Sequence, residues 1–297
     1  MKEFELIKEI VSILGERAAG DWISVGPGDD CSVVSVTPGY EVVSSIDTLV
    51  GEVHFPKDAA PELVGYRSLM VSLSDIAAMG AQARYVLVNL CLPAGHDQWA
   101  LECARGIKRA AIDSRIYVCG GNLTRGQLCI TVSAHGEVPV GKAKLRSGAK
   151  LGDSVFVSGL LGGAASYIRQ IDALSSRSPH YEKLKRSFYQ PLSCLELIQE
   201  VQNKASACID ISDGLIQDLN HVLLSSSVGA QLVAKNIPVC EGSDLSDALY
   251  GGDDYQLLCT SAGDMTGFHR IGKITTGSDI FLDDKLLTDG GYDHFGA

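Results

Sequence analysis

Carboxylates at turns are the chemistry-bearing feature of this 297-residue sequence. The stretch "VGPGDDC" ends a glycine turn with Asp29 and Asp30, and Asp47 closes the β-branched run "SSIDTLV". Asp75 lies in "SLSDIAAMGA", Asp210 and Asp213 in "IDISDGL", and Asp253 and Asp254 in "GGDDY". Two unit charges about 4 Å apart repel by roughly 1 kcal/mol in water and about 4 kcal/mol near a protein surface. Paired aspartates therefore need open solvent or a cation. One at a time, these residues are explained by the habit of Asp to start turns and cap helices, and Asp213 before a helix is good N-cap chemistry. As a set, hard oxygen donors with little His and no Cys grouping suit Mg²⁺ and a phosphorylated ligand better than zinc.

A phosphate site also needs backbone donors and a cation. "VCGGNLTRG" (118–126) reads as a short strand followed by a glycine turn at Gly120 and Gly121, with Asn122 and Arg125 beside it. Such a turn can bring N–H groups close to phosphate. "RSGAKLGD" adds Arg146 with its bidentate fork. There is no G-x-x-x-x-G-K-[ST] and no protein-kinase motif set. No Ser-His-Asp or Cys-His arrangement suggests nucleophilic catalysis.

These residues must be held by a folded scaffold, and the composition supports one. Apolar residues make up 45% and the formal charge is −11. No basic stripe is available to neutralise nucleic-acid phosphates, so nucleic acid is not an expected partner. Nine cysteines occur without a C-x-x-C, mostly in apolar runs, as expected of core thiols in a reducing compartment. No run of 18 apolar residues could span a membrane. "MKEFELIKEIVSILGERA" reads as an amphipathic helix with Phe4, Ile7, Val11 and Leu14 on one side, not as a signal peptide. A soluble cytoplasmic protein is expected.

Strands and helices interleave. "CSVVSV" and "EVVSSIDTLV" read as strands, and "APELVGYRSLMVSLSDIAAMGA" (60–81) as a helix carrying Asp75 near its C-terminal end. "RYVLVNLCLP" reads as a strand, 97–114 as a helix and "LCITVSAHGEV" as a long strand. The pattern restarts after a Gly-rich connection, which predicts two domains, 1–145 and 146–297. In the second, "SVFVS", "ACIDIS" and "AQLVA" read as strands, "DGLIQDLNHVLLSSS" as a helix, and "ALSSRSPHYEKLKRSFYQP" as a polar surface insertion.

Eight segments, "GPGDDC", "SIDTLVGEVHF", "SLSDIAAMGA", "GGNLTRG", "RSGAKLGD", "ISDGLIQDL", "GGDDYQLL" and "GYDHFG", occur in order across nearly the whole chain. In types and spacing the sequence resembles the thiamine-monophosphate kinases of the PurM-like superfamily. The resemblance implies a two-domain α/β (α+β) fold in which the N-terminal sheet pairs across a homodimer. It implies ATP-dependent phosphorylation of thiamine monophosphate with Mg²⁺, two ions or more. Carried over by position, Asp30, Ser45, Asp47, Asp75, Asn122, Asp210 and Asp213 would hold metal. Gly121, Asn122, Arg146 and Ser212 would contact ATP, and His54, Asp253 and Tyr292 the thiamine phosphate. Three departures stand out. The chain has Asn122 where Asp is common, Asp253 where Glu is common, and a short stretch before "GYDHFG". Two neighbouring readings remain at this stage: another ATP-dependent enzyme of the superfamily, and a non-catalytic paralogue binding thiamine phosphates or nucleotide.

Overall fold

Strand alternation organises the first of two compact units, Met1–Ile76 with Ala81–Gly141. The structure, a computed structural model, describes residues 1–171, 179–287 and 290–292. After α1 (Glu3–Leu14) come two short paired strands, β1 (Ile23–Val25) and β2 (Val33–Val34), then β3 (Tyr40–Val50) and α2 (Pro61–Ala78). There follow β4 (Gln82–Leu92), α3 (Asp97–Asp113), β5 (Tyr117–Arg125) and β6 (Cys129–Pro139). Four strands form one sheet in the order β3-β6-β4-β5, antiparallel except for the β4–β5 pair that α3 connects.

The side-chain period of two divides this sheet into faces. Leu49, Ile130, Val132, Ala134, Val86, Val88 and Leu90 are buried on one side. Val42, Ser44, Ile46 and Thr48 are exposed on the other, with Ile46 at 67%. Helix α2 backs the buried face and is itself locked to α3 by two glycines. A Cβ on Gly106 would lie 1.9 Å from the Glu62 carbonyl oxygen, and one on Gly65 would lie 2.1 Å from that of Cys103. The helices touch through bare backbone, which sets the spacing between α2 and α3.

The second unit comprises Ala77–Gly80 and Lys142–Ala297. Its elements are β7 (Ser154–Val157), α4 (Gly163–Gln170), α5 (Tyr181–Tyr189), α6 (Ile198–Lys204), β8 (Ala207–Asp210), α7 (Leu215–Ser226) and β9 (Gly229–Leu232). The chain continues through α8 (Leu245–Tyr250), β10 (Leu257–Ser261), β11 (His269–Thr275), β12 (Ile280–Leu282) and β13 (Lys285–Leu287). The seven strands run β13-β12-β9-β11-β7-β10-β8, and only β9–β12 is parallel. Val155, Val157, Ile209 and Leu258 pack with α7 on one side, while Phe156, Cys208, Leu257 and Cys259 pack around Val201 on the other. With both faces covered, these strands read as continuous apolar runs, as they do in "SVFV" and "LLC".

Four expectations are corrected. The strand expected over 31–36 is only Val33–Val34. The strand expected to stop at Gly120 continues to Arg125. Gly121 is required there by crowding, since a Cβ would meet the Val88 oxygen at 1.9 Å. The expected surface insertion contains α5, an amphipathic helix burying Leu184, Phe188 and Tyr189. Phe188 and Tyr189 pack on Tyr167 of α4 with ring centroids 5.7 and 5.8 Å away. Residues 173–178 of that insertion lie outside the described residues. Finally, Phe4 is 75% exposed, whereas Leu6 is buried with Leu14. Leu6, Ile10 and Leu14 form an alternative stripe at helical spacing, and that stripe faces inward.

Candidate functional site

In the first unit the alternation of β3 puts Ser45 and Asp47 on the buried face, toward α2. One turn of α2 separates Ser72 from Asp75, so both side chains share a helix face. The Ser45 hydroxyl donates to Asp75 Oδ2. Ser72 hydrogen-bonds Asp47, while Asp47 Oδ2 is buried with no hydrogen-bond partner. Burial first, and the Asp75 charge second, raise the Asp47 carboxyl from 3.8 to about 6, and the Ser72 bond offsets only part of this. A buried carboxylate beside a second one, with an oxygen lacking any donor, is electrostatically incomplete. A divalent cation with hard oxygen ligands supplies what is missing, so these residues fit Mg²⁺.

The other first-unit candidates are placed separately. Asp30 is exposed, and its N–H donates to Asp29 Oδ1 at 2.9 Å, so Asp29 closes the glycine turn. His54 ends a turn in which the Val50 N–H donates to His54 Nδ1 at 3.0 Å, which puts the proton of the neutral ring on Nε2. Gly121 lies in register with Val88, and through Val132 with Asp47. Asn122, one residue on, projects to the opposite face, where its Nδ2 donates to Asn89 Oδ1 at 2.9 Å. The structure therefore joins Ser45, Asp47 and Asp75 and leaves the Asn122 side chain across the sheet from them. Arg125 is exposed at the end of β5.

In the second unit Asp210 is buried at the C-terminal end of β8, and the chain turns through Ser212, Asp213 and Gly214 into α7. Asp213 does not cap that helix; Gly214 occupies the N-cap position. Instead Asp218, from the first turn of α7, reaches back. Its Oδ2 accepts the N–H groups of Ser212 and Asp213 at 3.0 Å and of Gly214 at 3.2 Å. Burial raises the Asp218 carboxyl to about 7 even though these bonds oppose the rise, and the Asp213 charge adds to it. Asp213, Asp218 and His221 bring ligand atoms within 4.8 Å of one another, and one of the two Asp218 oxygens, Oδ2, is committed to backbone.

The "GGDDY" segment runs beside this turn. The Asp253 N–H donates to the Ser212 carbonyl at 2.8 Å, and the Tyr255 hydroxyl donates to Asp253 Oδ1 at 3.0 Å. Asp253 and Tyr255 both have left-handed backbone, with φ of 71° and 51°. Non-glycine residues held this way store strain of order 1–3 kcal/mol each and concentrate at functional sites. Asp254 between them is buried and accepts the Gly162 N–H at the start of α4 with both oxygens, so its role is structural. Burial holds its carboxyl well above the ordinary range. The Tyr292 N–H donates to the Asp213 carbonyl at 3.0 Å, which ties the C-terminal segment to the same turn. Arg146 is exposed.

Sequence reading missed Ser72, Gln217 and Asp218. Ser72 was accessible through its spacing from Asp75, and Asp218 as an acidic residue in a first helical turn. That its oxygen serves three amides depends on the fold of the turn.

Residues 28–138 match the family described as AIR synthase related protein, N-terminal domain, and residues 150–282 its C-terminal domain. The thiamine-monophosphate kinase of Haemophilus influenzae is 33% identical over 273 residues, covering 88% of this chain and 81% of that protein. The crystal structure of thiamine-monophosphate kinase from Stenotrophomonas maltophilia superposes with a TM-score of 0.87 at 32% identity, covering 97% of this chain and 98% of the other. A solved structure of AaThiL complexed with AMPPCP and TMP has a TM-score of 0.81 at 30% identity, covering 99% and 97% of the two chains.

Proposed function

The chain belongs to the thiamine-monophosphate kinase family, and on that premise we propose that it transfers the γ-phosphoryl group of ATP to thiamine monophosphate, giving ADP and thiamine diphosphate. The structural observation that carries this reading is the buried Asp47 oxygen without a donor, beside Asp75. Chemistry explains why no strong general base accompanies it. A phosphate monoester has a second pKa near 6 and is largely dianionic at pH 7, so the acceptor oxygen needs no deprotonation.

Phosphoryl transfer between two polyanions is mostly a matter of positioning and charge. Asp47 and Asp75, with Ser45 orienting Asp75, are the first-unit residues that would hold Mg²⁺. Asp30, at its separate exposed turn, would be a further ligand, and in the second unit Asp210 and Asp213 would serve the same purpose. When bound, Mg²⁺ supplies charge neutralisation for the phosphates. Gly121, Asn122, Arg146 and Ser212 contact the nucleotide, and the Arg146 guanidinium offers a bidentate donor for charge developing in transfer. His54 contacts the thiamine phosphate. Asp253 and Tyr292, both hydrogen-bonded to the turn that carries Ser212 and Asp213, contact the thiamine substrate. Direct in-line transfer suffices.

The exposed face of the first sheet, with Val42, Ile46 and the long edge strand β3, supports a homodimer in which this sheet pairs with its copy. All nine cysteines are free thiols, and most are buried, which supports a cytoplasmic location. No helix among the described residues is long and apolar enough to cross a membrane.

The test is chromatographic detection of thiamine diphosphate after incubation with ATP, thiamine monophosphate and MgCl₂. ADP release that requires thiamine monophosphate and Mg²⁺ is expected. ADP release without the acceptor, or no diphosphate product, would overturn the assignment.

A further inference from the structure

The turn 212–214 is held by side chains that no ligand contact accounts for. Asp218 is only 2% exposed, yet a single oxygen of its carboxylate collects three consecutive backbone N–H groups. These amides belong to the turn that leads into α7 and lie before its first helical residue, Leu215. The carbonyls of the same turn are tied as well, Ser212 to the Asp253 amide and Asp213 to the Tyr292 amide. Next to Asp218, the Gln217 Nε2 uses its two hydrogens on Asp213 Oδ2 at 3.1 Å and the Tyr292 carbonyl at 2.9 Å. Every polar backbone group of Ser212 and Asp213 thus has a fixed partner, and one Asp213 oxygen is oriented by an amide.

We propose that Asp218 is a positioning residue for phosphoryl transfer: its buried carboxylate pins the amides of Ser212, Asp213 and Gly214, so that the Asp213 carboxylate and Ser212 hydroxyl are pre-set for metal and nucleotide. This rests on the reading of Asp213 as a metal ligand. Preorganisation is the physical reason, because a ligand that must be ordered on binding loses affinity to that ordering. Asp218 itself acts through backbone and needs no contact with either substrate. Gln217 completes the arrangement by aiming Asp213 and joining it to the C-terminal segment.

Two measurements on full-length protein decide the matter. The first is amide hydrogen exchange of the metal-free protein. Asp218→Ala should speed exchange at residues 212–214 at least tenfold, while the amides of β7 and β10 keep their protection. The second is Mg²⁺-dependent turnover. Asp218→Ala should raise the half-saturating Mg²⁺ concentration and the KM for ATP at least tenfold, and Asp218→Asn, whose amide oxygen can still accept, should recover most of that loss. If Asp218→Ala does not fold, Asp218→Asn carries the test alone, with smaller shifts expected in both measurements. Unchanged exchange at 212–214, or an unchanged Mg²⁺ requirement in folded variants, overturns the proposal. Asp213→Asn separates the two ideas. If it raises the Mg²⁺ requirement while the Asp218 variants do not, only the positioning role fails. If Asp213→Asn leaves the requirement unchanged, the ligand reading fails and the positioning role falls with it.

Discussion

Replacing Asp47 by Asn should stabilise the metal-free protein while abolishing its response to Mg²⁺. The Asp47 carboxylate is held against α2, beside Ser72, and its Oδ2 has no partner. Its rise from 3.8 to about 6, at about 1.4 kcal/mol per pH unit, corresponds to about 3 kcal/mol of penalty on the ionised form. An amide carries no charge to desolvate or to repel Asp75. It does leave a buried polar group incompletely bonded, which costs about 1–3 kcal/mol. A net gain of roughly 1 kcal/mol at pH 7.5 follows, or a few degrees in Tm for units of this size.

The pH dependence has a definite sign. Because the folded-state value lies above the unfolded one, the native state holds the extra proton between about pH 4 and pH 6. Wild-type stability from this group is complete below pH 4 and is lost as pH rises through about 6. Asp47→Asn has no such loss, so its advantage should grow over that window and level off above about pH 7. Thermal scans in EDTA from pH 4.5 to 8 measure this directly. Added Mg²⁺ should then raise the wild-type Tm in proportion to the logarithm of its concentration, with little effect on the variant, and reverse the ranking. A variant less stable than wild type throughout in EDTA, or equal Mg²⁺ stabilisation of both proteins, would refute the reasoning.

Asp75→Ala should lower turnover at least a hundredfold, about 2.7 kcal/mol, with circular dichroism unchanged; near-wild-type activity would remove Asp75 from the metal set. Asn122→Asp puts a charge on the sheet face opposite Asp47 and Asp75, so the half-saturating Mg²⁺ concentration should stay unchanged in steady-state kinetics. A several-fold lower value would return Asn122 to the metal set. Ile46→Arg places a charge on the open sheet face, away from Asp47, and should shift the protein from dimer to monomer in light scattering. An unchanged mass would exclude that face as the pairing surface.

The sequence by itself determined which residues share a face. Period two in β3 puts Ser45 and Asp47 together and Ile46 opposite, and spacing within α2 aligns Ser72 with Asp75, because both periods are properties of the local backbone. The ordered acidic motifs likewise identified the family before any coordinate was known. Only the tertiary structure decided which carboxylates are free to act. Asp213, Asp218 and Asp254 are alike as letters near glycines, yet Asp218 is consumed by three amides and Asp254 by the start of α4. Gly121 reads as part of a turn until the Val88 carbonyl beside it shows that a strand needs the space. A carboxylate's availability depends on burial and on donors brought from elsewhere in the chain, and neither is a property of its immediate neighbours in sequence.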